Sequence, residues 1–223
     1  MIIKTTGVGS VPFNDIESAL TFVTQCSIPY LPELENENML TLVDDPNYFN
    51  LKNWKYFVES IQHFKLIKIQ IIGPMTYQFL KKDLGNYKNK IIKVVEKIKA
   101  DLKNIPFILI LDEPCLFKKN DTSALIGTLK SLNIAEIGIH CCDKFKISDV
   151  KDLPIKYLSF DISLFNDQEI SELDKYFILI FGANKNQIER LNKLNKNEIL
   201  VSPPCGLKNL TQEAIKTQLI SPS

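Results

Sequence analysis

The feature that most constrains this chain is an alternation. Short, apolar, β-rich runs recur between longer amphipathic stretches, the pattern of parallel strand–helix units. The runs are Ile2–Val8, Ser27–Tyr30, Leu66–Ile72, Pro106–Asp112, Ala135–His140, Ile155–Asp161, Tyr176–Phe181 and Glu198–Val201. Between them the spacing predicts helices over Asn14–Gln25, Leu51–Phe64, Asn86–Lys103, Thr122–Ser131, Asp167–Leu173, Asn186–Leu194 and Thr211–Leu219, with a weak one at Lys144–Val150. Eight such units predict an α/β fold of the single (β/α)8 TIM barrel type. No linker or low-complexity tract divides the chain, so residues 1–223 are read as one domain.

Continuously apolar runs such as Phe107-Ile108-Leu109-Ile110-Leu111 fit strands covered on both faces. Their polar exceptions gather at the C-terminal ends: Gly9-Ser10, Gly73-Pro74, Asp112-Glu113-Pro114, His140-Cys141-Cys142, Asp161 and Pro204-Cys205. In a barrel, those ends share one face, the face that carries active sites.

His140 and Cys142 are two residues apart in an extended segment and project to the same side, while Cys141 points away. Asp161 ends the next strand, and Cys205 follows the last one. One imidazole, two thiolates and one carboxylate suit tetrahedral zinc better than magnesium or calcium. Cys26, Cys115 and Cys141 read as small buried hydrophobes. Five cysteines without a disulfide-like spacing, and a start at Met1-Ile2-Ile3-Lys4 without a leader pattern, predict a reduced, cytoplasmic protein. Lys and Arg number 27 against 26 Asp and Glu, a balance that predicts neither a nucleic-acid nor a membrane partner.

At these residues the chain resembles the catalytic barrel of cobalamin-independent methionine synthase, and more closely the short single-barrel members of the methionine synthase and uroporphyrinogen decarboxylase superfamily. The segments that carry the resemblance run from the first strand to the last. They are Thr6-Gly7-Val8-Gly9-Ser10-Val11-Pro12, Ile28-Pro29-Tyr30-Leu31-Pro32-Glu33-Leu34, Gly73-Pro74-Met75-Thr76, Leu111-Asp112-Glu113-Pro114, Gly138-Ile139-His140-Cys141-Cys142, Ser159-Phe160-Asp161 and Ser202-Pro203-Pro204-Cys205-Gly206-Leu207.

The resemblance implies a zinc-dependent methyl transfer to the thiol of homocysteine, giving methionine. It matches His140, Cys142 and Cys205 to the family's zinc ligands and puts Asp161 where methionine synthases have a glutamate. It also matches Ser10 to the residue that binds the amino acid's carboxylate, and Asp112 to the catalytic-site aspartate that receives its ammonium. An anionic acceptor suits an ammonium. Glu33 and Glu35 are expected to line the mouth, with Glu33 on the substrate; a solvated acidic loop is the alternative.

The sequence departs from the family at Asn184, where a histidine is expected; His63 and His140 are its two histidines. A chain of 223 residues also lacks the family's additional barrel, so a protein-bound methylcorrinoid is the expected donor rather than a folate. Two further readings stay open: methyl transfer to a different thiol, and a catalytically degenerate barrel that binds zinc or a corrinoid protein.

Overall fold

A computed structural model describes residues 1–38, 40–45, 47–81, 86–114, 116, 122–194 and 196–207. Its seven strands are β1 Ile2–Thr5, β2 Ile67–Ile72, β3 Phe107–Asp112, β4 Ile137–Cys141, β5 Tyr157–Asp161, β6 Ile178–Gly182 and β7 Glu198–Ser202. All neighbouring strands pair in parallel, in the order β1-β7-β6-β5-β4-β3-β2.

This corrects the expected fold: the sheet is a curled, seven-stranded parallel array, not a closed eight-stranded TIM barrel. The difference lies at the run Ser27–Tyr30, which is not a strand. Pro29 has no N–H to give a ladder, so the segment cannot pair regularly along its length. With Leu31 next to it, the segment makes three backbone contacts across the gap between the two edges of the sheet. Ile28 N donates to Thr5 O at 2.9 Å, Lys68 N to Pro29 O at 2.7 Å and Leu31 N to Lys68 O at 3.0 Å. One irregular segment touches both β1 and β2, which requires the sheet to curl.

The helices cover the outer face. They are α1 Ile16–Val23, α2 Thr41–Asp44, α3 Lys52–Ser60, α4 Pro74–Lys81, α5 Tyr87–Leu102, α6 Ser123–Leu132, α7 Ile147–Val150, α8 Asp167–Leu173 and α9 Ile188–Asn192. Helix α5 shows why they dock: Ile91, Val94, Val95, Ile98 and Leu102 recur at helical spacing and are buried, while the lysines between them face outward. Helix α1 starts at Asp15, whose carboxylate accepts from Ser18 N at 2.8 Å. The expected helix Thr211–Leu219, and Cys115, lie outside the described residues. Among those residues no helix is long and apolar enough to cross a membrane.

The inner face of the sheet is divided by height. Its lower part is a small apolar cluster of Ile28, Ile108, Ile110, Tyr157, Ile180 and Leu200. Strand alternation and the register Asp112↔His140↔Ser159 then place those three polar residues side by side above it. Lys68 and Gln70 alternate with outward-facing isoleucines on β2 and reach the same interior.

Candidate metal centre and adjoining pocket

Ligand atoms of Asp112, His140 and Cys142 all lie within 4.8 Å of one another at the ends of β3 and β4. His140 is fully buried, with Nδ1 2.9 Å from Ser159 Oγ and Nε2 3.1 Å from Cys142 Sγ. Burial, aided by the Lys68 charge, lowers its pKa to about 3, so the imidazole is neutral. With the Nδ1 proton given to Ser159, Nε2 presents its lone pair toward Cys142, the arrangement in which an outer hydroxyl fixes a metal-binding histidine.

Cys205, on the loop after β7, stands beside Cys142 but, like Asp161, lies outside the mutual reach of Asp112, His140 and Cys142. Contact with the Cys142 side chain, with help from the Gly206 N–H, lowers the Cys205 pKa to about 6 against the effect of burial. The same contact, followed by burial, pushes the Cys142 thiol up. Cys205 is exposed, so this end of the group opens to solvent.

Asp112 is the carboxylate of the cluster. Burial raises its pKa to about 7, although Gln70 and Lys68 act against it. Its Oδ1 is buried without a hydrogen-bond partner. A tetrahedral zinc with bonds of about 2.0 Å to nitrogen and 2.3 Å to sulfur sets those atoms about 3.5 Å apart. The observed His140–Cys142 spacing, the orphaned Asp112 oxygen and the N/O/S donor set fit that ion.

Asp161, expected among the ligands, is placed differently. Its Oδ1 accepts from Ser163 N at 2.8 Å and Ser163 Oγ at 2.7 Å, capping the 3-10 turn Ile162–Leu164. It lies outside the mutual reach of the other three groups, and Asp112 supplies the carboxylate there. Asn184 caps a turn too, with Oδ1 accepting from Asn186 N at 3.0 Å.

Asp112 also lines a small cavity of about 40 Å³ that opens to solvent. Glu33, Glu37, Asn38, Tyr48 and Gln70 share that wall, and no Lys, Arg or His does among the described residues. Glu33 is held by pairing with the Gly9–Val11 segment: Glu33 N donates to Gly9 O and Val11 N to Glu33 O, each at 2.9 Å. Gly9 makes this turn at φ +105°, a conformation that favours glycine.

Ser10, expected on the substrate, is not part of the cavity wall. It packs instead on the loop that carries Cys205. A Cβ at Gly206 would lie 2.1 Å from Ser10 Oγ, and Leu207 N donates to Ser10 O at 3.1 Å. The thiols of Cys26 and Cys141 are pushed up by burial to about 11 and about 12, as suits cysteines used for packing.

The sequence reading did not single out Ser159, Lys68, Gln70 or the role of Glu113. Lys68 is almost fully buried, and its ammonium donates to Gln70 Oε1 at 2.7 Å and to Gly7 O. Burial lowers its pKa to about 7, opposed by Asp112 and Cys26. The signal was the alternation Lys68-Ile69-Gln70 in an otherwise apolar run, which marks two polar side chains on one face. Glu113 is fully buried and accepts from Met75 N, Thr76 N and Thr76 Oγ1 at 2.8 to 2.9 Å, fixing the start of α4.

No protein-family model matches the chain, and no curated protein sequence matches it. Among solved structures it is similar to the apo form of 3-keto-D-glucoside 4-epimerase, YcjR, from E. coli. The two align with a TM-score of 0.57 over 96% of this chain and 95% of that one, at 10% identity. At this identity the likeness is one of fold.

Proposed function

We propose that this chain is an enzyme, a zinc-dependent methyltransferase acting on a small thiol, with homocysteine as the acceptor. The observation that carries the reading is the Asp112–His140–Cys142 group, extended by Cys205 and opening onto a pocket that Asp112 shares with Glu33. Zinc, when bound, favours the thiolate form of a coordinated thiol, the nucleophilic form.

The chain's own residues supply the rest. Ser159 holds the neutral His140 ring so that Nε2 faces the site. Cys142 and Cys205 place two soft donors on the open side, and Asp112 a hard one on the pocket side. Glu33 faces the pocket as an acceptor for the substrate's ammonium. In the transfer, the substrate thiol gives its proton to solvent, its sulfur bonds to the methyl carbon, and the donor leaves with the electrons of its broken bond to that carbon. The exposed position of Cys205 supports a donor that approaches from outside, such as a methylcorrinoid held on another protein.

The test is zinc content in protein purified without added metal, for wild type and Cys205→Ala, followed by X-ray absorption with homocysteine. About one zinc per chain, its loss in the variant and a new zinc–sulfur contact with homocysteine are expected. A wild type that cannot be loaded with zinc refutes the proposal. Zinc binding without turnover on any thiol favours a catalytically degenerate, zinc-binding protein, a reading that the turn-capping roles of Asp161 and Asn184 support.

A further inference from the structure

Asp112 is flanked on both sides by polar residues of neighbouring strands. The register Asp112↔His140 puts the imidazole on its β4 side. On the β2 side the register Gln70↔Ile110, Ile72↔Asp112 sets Asp112 one inward-facing position above Gln70.

Which end of the Gln70 amide meets Asp112 follows from chemistry. A lysine ammonium only donates, so the amide atom that Lys68 Nζ meets at 2.7 Å is the carbonyl oxygen. Lys68 is fixed in turn by its bond to Gly7 O. The NH2 end of Gln70 is therefore the one turned toward the Asp112 carboxylate.

Gln70 Nε2 and Asp112 Oδ1 are both buried, and neither closes a hydrogen bond among the described residues. A buried donor and a buried acceptor left open are costly, which favours the state that joins them. A carboxylate has two oxygens, so Asp112 can accept from the amide and still ligate a metal. The other fully buried group of the site is backed in the same way, with His140 Nδ1 2.9 Å from Ser159 Oγ on β5. Loss of such a backing partner typically costs about 10- to 100-fold in metal affinity.

We propose that Gln70 is a positioning residue of the metal centre: held by Lys68, it aims the Asp112 carboxylate at the ion alongside His140. This rests on the zinc reading given above. With its NH2 buried, Gln70 acts through Asp112 and not on the substrate.

The experiment is a double-mutant cycle in metal affinity. It is read by competition of zinc with a chromophoric chelator and by the visible spectrum of the cobalt(II)-loaded protein. Gln70→Leu is expected to weaken zinc about tenfold or more and to alter the cobalt spectrum, because Asp112 is no longer held. In an Asp112→Ala background the same change is expected to shift affinity by less than about twofold, since its target is gone. A loss of equal size in both backgrounds marks a packing defect and overturns the inference, as does a Gln70→Leu protein with wild-type affinity and spectrum. Gln70→Met, which keeps the length of the side chain, serves in the same cycle if the leucine variant does not fold. A wild type that takes up neither metal refutes the zinc reading and the inference with it. Coupling between Gln70 and Asp112, with a cobalt spectrum that homocysteine does not change, leaves the inference standing and refutes thiol methyl transfer. A homocysteine-dependent spectrum without that coupling does the opposite.

Discussion

Replacing Glu113 tests how the turn carrying Asp112 is held. Its carboxylate is fully buried and meets Met75 N at 2.9 Å, Thr76 N at 2.8 Å and Thr76 Oγ1 at 2.9 Å. The two amides belong to the first turn of α4, where no preceding helical carbonyl can receive them. Glu113→Ala strands three buried donors, each costing about 1 to 3 kcal/mol, and removes an anion worth about 0.5 kcal/mol at a helix N-terminus. Recovering the desolvation of a buried carboxylate offsets part of this, so the net loss is expected at about 3 to 4 kcal/mol. Glu113→Gln keeps one acceptor oxygen and is expected to lose about half as much. Thr76→Val removes only the hydroxyl and is expected to lose about 1 kcal/mol. Urea unfolding of the three variants at unchanged m-value gives the order directly. A Glu113→Ala protein within about 1 kcal/mol of wild type, or a Gln variant no better than the Ala variant, refutes the accounting.

Three further predictions follow from the site. Lys68→Met takes the buried ammonium away from Gln70 Oε1 and Gly7 O and is expected to cost about 1 to 3 kcal/mol in urea unfolding, with wild-type stability refuting a structural role for the lysine. In the metal-free protein, the pKa of His140 lies below its unfolded value of 6.5, at about 3, so the unfolded chain binds the extra proton between those values. His140 therefore supports stability above pH 6.5, and its share falls by up to about 1.4 kcal/mol per pH unit as the pH drops toward 3, a slope that His140→Gln should remove from a pH series of urea midpoints. Gly206→Ala brings a Cβ to 2.1 Å from Ser10 Oγ, a hydroxyl that rotation about the serine side chain moves away, so zinc retention against a chelator is expected to stay as in wild type, as it is for Asp161→Asn, whereas Cys142→Ala is expected to lose it.

What the sequence made legible followed from periodicity. Apolar runs flanked by turns located seven strands to within a few residues, because a covered parallel strand needs such a run whatever its neighbours are. Ser27–Tyr30 has the same composition but not the same hydrogen-bonding capacity, and Pro29 is the reason. Helix α4 was missed because its helical signal is short and its start is fixed by Glu113, a residue 39 positions from Pro74. In the site, the pairing of His140 with Cys142 was readable because alternation along one extended segment is local. The exchange of Asp161 for Asp112 in that group was not, since either carboxylate ends a neighbouring strand. What separates them is the Ser163 amide that occupies Asp161, a contact set by the turn that follows rather than by the strand.

The irregular segment at Ser27–Tyr30 also makes the molecule mechanically uneven. Pulling β2 from β3 means breaking a ladder six residue pairs long, whereas the β1 and β2 edges are joined by the backbone bonds of Ile28, Lys68 and Leu31, the contacts between Ser27 and Thr5, and the Lys68 ammonium on Gly7 O. Gly9 and Gln70 lie on opposite sides of this weak line, so a ligand spanning the pocket ties the two edges together as it binds. Backbone amides along the line, Ile28 and Lys68 foremost, should exchange with deuterium sooner than those of β3 and β4, and slow selectively when the pocket fills.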